Sequence, residues 1–225
     1  MTAHAVARHE FDTGAAVRVG GDSLTLGPVE LMGARIRYER DAEIYGEGEP
    51  AEFAYKVISG AVRTYKLLND GRRQIGGFHL AGDLFGLEAG VEHRLSAEAI
   101  GEATVLVIRR SALLGLAAQD ADAARALWTL TAADLERAQN HLLLLGRKSA
   151  CERVASFLLD LAARQPAAAT VDLPMSRQDM ADYLGLTIET VSRTLTQLQN
   201  EGVIALPSCR KVVFCNRQAL SRLNA

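Results

Sequence analysis

The sequence predicts an α+β chain in three parts: an N-terminal antiparallel β-roll, one long helix, and a C-terminal winged helix-turn-helix. Three observations lead there. Between Ile36 and Ile108, short β-type runs alternate with glycine-marked turns. After Asp120, apolar residues recur at three- and four-residue steps. Residues 176–199, SRQDMADYLGLTIETVSRTLTQLQ, then spell two short helices across a glycine turn. The implied divisions are a mobile arm at 1–28, the roll at 29–119, the long helix at 120–146 and the winged unit at 147–225.

Residues 1–28 mix Gly, Ala, Arg and Asp without a sustained period, which is why they read as an arm. Gly46 and Gly48 bracket the first turn of the roll. Phe53 to Ile58 is a strand ended by Ser59-Gly60, and Ala61 to Leu68 is the next. Asn69-Asp70-Gly71 is a hairpin signal, because Asn and Gly tolerate positive φ. Gln74 to Leu80 returns, Ala81-Gly82-Asp83 turns, and Thr104 to Ile108 closes with a continuous apolar run. Many short strands at even turn spacing suggest a sandwich or roll.

In the long helix, Leu127, Thr131, Leu135, Ala138, Leu142 and Leu145 form a coiled-coil-like seam, with Asp134, Glu136 and Arg137 off it. Leu142 to Leu145 is apolar around much of the helix, so this end is expected to be buried on two sides. One reading is a core helix of a single domain. The other is a seam against a second copy, favoured because a single reading helix needs a second half-site. Gly146 is expected to break the helix. Another follows from Arg147 to Ala163, with Val154, Phe157, Leu158 and Leu161 inward, and a loop spans Pro166 to Thr170.

Ala181, Gly185 and Val191 occupy the close-approach, turn and packing places of a helix-turn-helix. Ile188, Val191, Leu195 and Leu198 make one buried stripe on the second helix. Glu189, Ser192, Arg193 and Thr196 lie opposite, at the spacing of a solvent-facing strip. After Glu201-Gly202, strands Val203 to Leu206 and Val212 to Cys215 flank Pro207-Ser208-Cys209-Arg210-Lys211, a wing with a basic tip.

Bulk properties narrow the function. The chain has 225 residues, is 48% hydrophobic and 23% charged, and carries a net charge of −2. From Arg147 onward ten Lys/Arg face seven Asp/Glu; the earlier residues carry fifteen and twenty. A basic C-terminal unit behind an acidic one suits a DNA-binding domain joined to a sensor. No apolar run approaches the ~20 residues of a membrane span, and no signal peptide is visible, so a cytoplasmic location is expected. Cys151, Cys209 and Cys215 form no C-x-x-C pair. His4, His9, His79, His93 and His141 lack metal-ligand spacing, and no catalytic motif is present. Neither an enzyme nor a metal site is expected.

Arg193 can bond O6 and N7 of a guanine with its planar fork, and Glu189 can accept from a cytosine amino group. Ser192, between them in angle, can reach a neighbouring base or phosphate. The pair Glu189–Arg193 also fits an i,i+4 surface salt bridge. Ser176 and Thr187 stand at helix starts, where they cap free N–H groups or meet phosphate. Arg177, Thr196, Arg210 and Lys211 complete the candidate backbone contacts, which set register and not sequence. Cys209 lies beside Arg210 and Lys211, where positive charge favours a thiolate open to oxidation; an idle exposed thiol fits as well.

Ile188-Glu189-Thr190-Val191-Ser192-Arg193, followed by a wing and preceded by a roll and long helix, resembles the CRP/FNR superfamily of bacterial transcription regulators over roughly residues 30–222. The Glu-x-x-Ser-Arg pattern is similar to its FNR and FixK members. That resemblance implies a cyclic-nucleotide-binding-like roll and a homodimer on a palindrome of TTGA-type half-sites. It also implies base contacts from Glu189, Ser192 and Arg193, and recruitment of RNA polymerase. An FNR-type iron–sulfur cluster is excluded from the roll, since no cysteine precedes Cys151. The stretch Phe85-Gly86-Leu87-Glu88 with Arg94-Leu95-Ser96 departs from the cyclic-nucleotide pattern: the glutamate is displaced and the Arg–Ser pair split. The FixK-like branch remains. It implies no cofactor and control of microaerobic, anaerobic or nitrogen metabolism; an effector-gated regulator holding a cyclic nucleotide or haem in the roll is the alternative.

Overall fold

The computed structural model describes residues 33–165 and 169–223, so the arm expected at 1–28 lies outside the described residues. The N-terminal part is a roll of two four-stranded antiparallel sheets. One orders β1 (Ala34–Tyr38), β8 (Ala103–Arg109), β3 (Phe53–Ser59) and β6 (Leu84–Phe85). The other orders β2 (Glu43–Tyr45), β7 (Ser96–Ala99), β4 (Ala61–Leu67) and β5 (Arg73–Leu80). Tyr45, Tyr55, Val57, Val62, Phe85, Ala97 and Val105 fill the space between them. Alternation along each strand puts these side chains on one face of the pleat.

The long strands follow the apolar runs of the sequence. β1, β2, β6 and β7 were not foreseen. β7 reads Ser-Ala-Glu-Ala, with no β-branched or aromatic residue, and is a strand because it pairs with β2 and β4. The β3–β4 turn requires Gly60: its φ is +81°, and a Cβ there would collide with the Glu102 carbonyl and Ala103.

Two helices follow, α1 (Arg110–Gln119) and α2 (Ala121–Arg147). The Asp120 carboxylate caps α2, accepting from the Asp122 N–H at 2.9 Å. α2 does not stop at Gly146. A glycine inside a helix costs only about 1 kcal/mol, and the chain leaves the helix at Lys148, in extended backbone. The break belongs to Ser149, whose capping box with Glu152 starts α3 (Ala150–Ala163).

Within the single chain, the exposed face of α2 matches only part of the expected seam. Leu127 and Leu145 pack partly within their own chain. Trp128 is 75% exposed instead, and Leu135 and Leu142 are 58% and 70% exposed. With Thr131 and Ala138, which are also exposed, Trp128 gives steps of three, four, three and four, a regular heptad stripe. Within the single chain the end of α2 is buried on one side: Leu144 is inside, while Leu143 is 64% exposed.

The C-terminal part holds α4 (Arg177–Leu184), α5 (Ile188–Asn200), β10 (Ile204–Ser208), β11 (Lys211–Phe214) and α6 (Arg217–Arg222). β9 (Thr170–Asp172) pairs with β11 and makes the wing three-stranded, although Thr170 was expected to end a loop. One hydrophobic core runs through this part and continues into Ala61, Ile75, Phe78 and Ile100 of the roll. Roll and winged unit therefore share a core.

Candidate nucleic-acid interface

α4 and α5 meet across Gly185, which sits in the left-handed region (φ 62°, ψ 41°) that favours glycine. Ala181 and Val191 are fully buried at the crossing. The Ser176 hydroxyl accepts from the Asp179 N–H at 3.1 Å, and the Asp179 carboxylate accepts from the Ser176 N–H at 2.9 Å. Burial raises the Asp179 pKa, but the Ser176 bonds and the guanidinium groups of Arg63 and Arg73 outweigh it and hold the carboxyl below the usual range. Thr187 caps α5, its hydroxyl accepting from the Thr190 N–H at 3.2 Å.

The buried stripe of α5 is Val191, Thr194, Leu195 and Leu198. Each buried aliphatic contributes about 1.5–3 kcal/mol, which anchors that face. Ile188 does not belong to it. This residue is 37% exposed, because the chain has just left the Gly185 turn and its first helical residue overhangs the core. Glu189, Ser192, Arg193 and Thr196 all face solvent. Arg193 acts on Glu189 through space, and Glu189 titrates below its ordinary range chiefly through its backbone N–H and the Thr187 hydroxyl. Among the described residues no ion pair joins the two. The Thr196 hydroxyl donates to the Ser192 carbonyl at 3.0 Å.

The candidate phosphate contacts differ in freedom. Arg177 is half-buried, with Nη1 3.7 Å from the Met180 sulfur. Arg210 is committed inward: its guanidinium donates to the Pro174 and Leu173 carbonyls, tying the wing turn to the segment before α4. Its backbone carbonyl accepts from the Leu173 N–H, which strengthens that brace. Lys211 is half-exposed, with only a 3.7 Å contact to Asp172. Cys209 is an exposed free thiol on the same turn.

Contacts that no local pattern predicts hold α4 from outside. Arg153 donates to Leu145 O and Leu184 O, both at 2.9 Å, and to Lys148 O at 2.8 Å, joining the ends of α2 and α4. His141 stacks on Tyr183 at 3.9 Å and lies 2.8 Å from the Tyr183 carbonyl. From the roll, Arg63 and Arg73 reach Asp179 and Asp182. Only proximity in space selects these residues among many Arg and His.

A cavity of about 650 Å³ lies between β5, α2 and α3, walled by Gly77, His79, Leu95, Ala138 and Arg164 among others. The residues that would hold a cyclic phosphate do not fit it. Leu95 occupies the wall while Arg94 is exposed to solvent. The Ser96 hydroxyl accepts from the Glu47 N–H at 3.0 Å, and Arg164 is ion-paired to Asp83. Among the described residues no cluster of His, Cys, Asp and Glu could hold a metal ion, and no helix is long and apolar enough to cross a membrane.

Beside this cavity, burial pushes the His79 imidazole down to about 4. A depressed folded pKa means that neutral His79 stabilises the fold above the unfolded value of about 6.5. That contribution is lost as pH falls from about 6.5 toward 4. His93 and His141, also lowered by burial, act in the same direction. Urea melts between pH 7 and 4 are therefore expected to show a smaller loss of stability for His79→Gln than for the wild type. An identical pH slope in the two proteins contradicts this.

Comparison with known proteins decides the family. Residues 152–223 match a Crp-like helix-turn-helix domain, and residues 35–120 match a cyclic nucleotide-binding domain. The nitrogen fixation regulation protein FixK of Azorhizobium caulinodans is 52% identical over 88% of this chain and 82% of its own length. The chain belongs to the CRP/FNR family of transcription regulators, in its FixK branch. FixK of Rhizobium meliloti is 46% identical over 88% of this chain and 92% of that protein. The solved structure of FixK2 from Bradyrhizobium japonicum superposes with a TM-score of 0.82 at 54% identity, covering 86% of this chain and 98% of that one. A CRP/FNR regulator has its reading helix in the second helix of the helix-turn-helix, here α5, so the exposed strip lies on the element expected to enter a groove.

Proposed function

We infer that this FixK-branch regulator activates transcription as a homodimer that lays α5 of each copy into successive major grooves of a palindrome with TTGA-type half-sites. The observation that carries it is the free polar strip. Glu189, Ser192 and Arg193 stand exposed on a helix whose opposite face is locked into the core. Arg193 supplies the guanine fork and Glu189 the acceptor for a cytosine amino group. Exposed Ile188, at the start of the strip, offers apolar surface suited to a thymine methyl.

Two copies meet along the heptad stripe of α2, centred on Trp128, Leu135, Ala138 and Leu142. A division after residue 119 separates the roll from this dimer helix, which runs to Arg147 before the winged unit. Ser176 and Thr187 cap helices and present N-termini toward phosphate. Lys211, Arg177 and Thr196 flank the strip, whereas Arg210 braces the wing. The protein works in the cytoplasm, recruits RNA polymerase, and serves microaerobic, anaerobic or nitrogen metabolism; the names of its FixK relatives, nitrogen fixation regulation proteins, support the last. Oxidation of Cys209 at the wing would place negative charge near phosphate and weaken binding.

Lys211→Ala is expected to weaken consensus and scrambled duplexes alike and to lower the salt slope by about one unit. Fluorescence anisotropy across a salt series reads both. A loss confined to the consensus duplex would move Lys211 into base reading. The 650 Å³ cavity supports a second reading, an effector held in the roll; a nucleotide or haem band carried by the purified protein would favour it.

A further inference from the structure

The holds on α4 come from two directions, the roll and the junction of α2 with α3. At its start, Arg63 Nη1 donates to Asp179 Oδ1 at 3.1 Å and Arg73 Nη2 donates to the same oxygen at 2.6 Å. One turn on, Arg73 Nε donates to Asp182 Oδ2 at 2.9 Å, and the Gln74 amide donates to the Asp182 carbonyl at 2.8 Å. Arg63 is itself fixed by Glu98 and Asp41, with Nε to Glu98 at 2.6 Å. At the far end, Arg153 and His141 take the Leu184 and Tyr183 carbonyls. The side chains of Asp179 and Arg63 are almost wholly buried.

A buried ion pair gains little net stability over an apolar contact, because desolvating its charges offsets their attraction. It does restrict geometry. Arg63 and Arg73 satisfy Asp41, Glu98, Asp179 and Asp182 together in one docking pose, and sliding α4 along β5 would leave charges buried and unpaired. None of these groups faces the reading strip. α4 carries α5 through the Gly185 turn and is bound to α2 through Arg153, so its pose sets where α5 lies relative to the dimer helix.

We propose that Arg73 and Asp182 are positioning residues: through them the roll acts as a rigid brace that presets the reading helix to the half-site spacing of the operator. This gives the roll a task that needs no bound ligand, in keeping with the poor fit to a cyclic phosphate. The proposal rests on the palindrome reading above. Wild-type protein that shows no preference for the palindrome would overturn that reading before any variant is compared.

The test uses the full chain carrying Arg73→Asp, Asp182→Arg or both, against palindromes whose spacer is shortened or lengthened by one and two base pairs. A reading head that is correctly posed only about a tenth of the time binds about tenfold more weakly. Because both heads of the dimer carry the change, each single swap is expected to lose about a hundredfold on the preferred spacing and to broaden the spacing preference. Discrimination against single-base changes within a half-site should stay at the wild-type level. The double swap should recover affinity and spacing only in part, because a carboxylate at position 73 would still face Asp179 and Glu98. Should a single swap fail to fold, Arg73→Gln and Asp182→Asn, which keep size and remove charge, carry the same expectations without the rescue. Unchanged spacing preference in the folded variants, or a double swap no better than the singles, overturns the proposal.

Discussion

Arg193→Ala is expected to abolish the preference for a TTGA-type half-site over a scrambled one while leaving the fold intact. The fork of a guanidinium on a guanine contributes about 1–3 kcal/mol of discrimination, so a palindrome read twice should lose roughly thirty- to twenty-thousand-fold in specificity. Stability should change by less than about 0.5 kcal/mol, since Arg193 is exposed and no ion pair among the described residues fixes it. Competition binding with consensus and scrambled duplexes measures the first quantity, and a urea melt the second. If the variant keeps its preference, Arg193 is a surface charge and base reading lies elsewhere. The salt-bridge alternative predicts the reverse pattern, a few tenths of a kcal/mol lost from the fold and none from specificity.

The second large effect concerns the stripe on α2. Leu135→Asp with Leu142→Asp should yield a folded monomer, because both side chains are mostly exposed within one chain and their loss opens no cavity. In the dimer each buried leucine would contribute about 1.5–3 kcal/mol, and a carboxylate in its place would be desolvated without a partner. Losing the tie between two half-sites removes about 10²- to 10⁴-fold of avidity. Sedimentation should show one chain, and the palindrome should bind no better than a single half-site. A double variant that stays dimeric with full operator affinity would remove α2 from the interface. Trp128, the largest exposed apolar group on the stripe, then needs another explanation.

The division of labour on α5 was legible because a helix repeats every 3.6 residues: apolar residues at three- and four-residue steps must lie opposite the polar set. That rule fails at a helix end. Ile188 belongs to the apolar series by spacing, yet the core it would join begins a turn later. Leu127 and Trp128 show the same limit on α2. Both are large and apolar, and only the position of the roll decides which turns inward. Gly146 looked like a helix breaker, but a glycine penalty near 1 kcal/mol is smaller than the packing and capping that continue the helix past it.

Arg210 illustrates a different blind spot. Its neighbours in sequence, Cys209 and Lys211, suggested an exposed basic tip, but the guanidinium turns back to carbonyls 36 and 37 residues away. Sequence fixes the charge of an arginine and not its partners. The same holds for Arg63, Arg73 and Arg153, whose carboxylate and carbonyl acceptors are between 5 and 116 residues distant.

Periodicity, turn residues and helix caps act within a few residues, so the order of roll, long helix and winged unit, and the polar strip of α5, follow from the chain alone. Short strands such as β7, the facing of Ile188 and Trp128, and the grip of the roll on α4 depend on groups far apart in sequence. Their energies come from burial and from charge pairing in a shared interior, which exists only once the roll, the long helix and the winged unit have packed together.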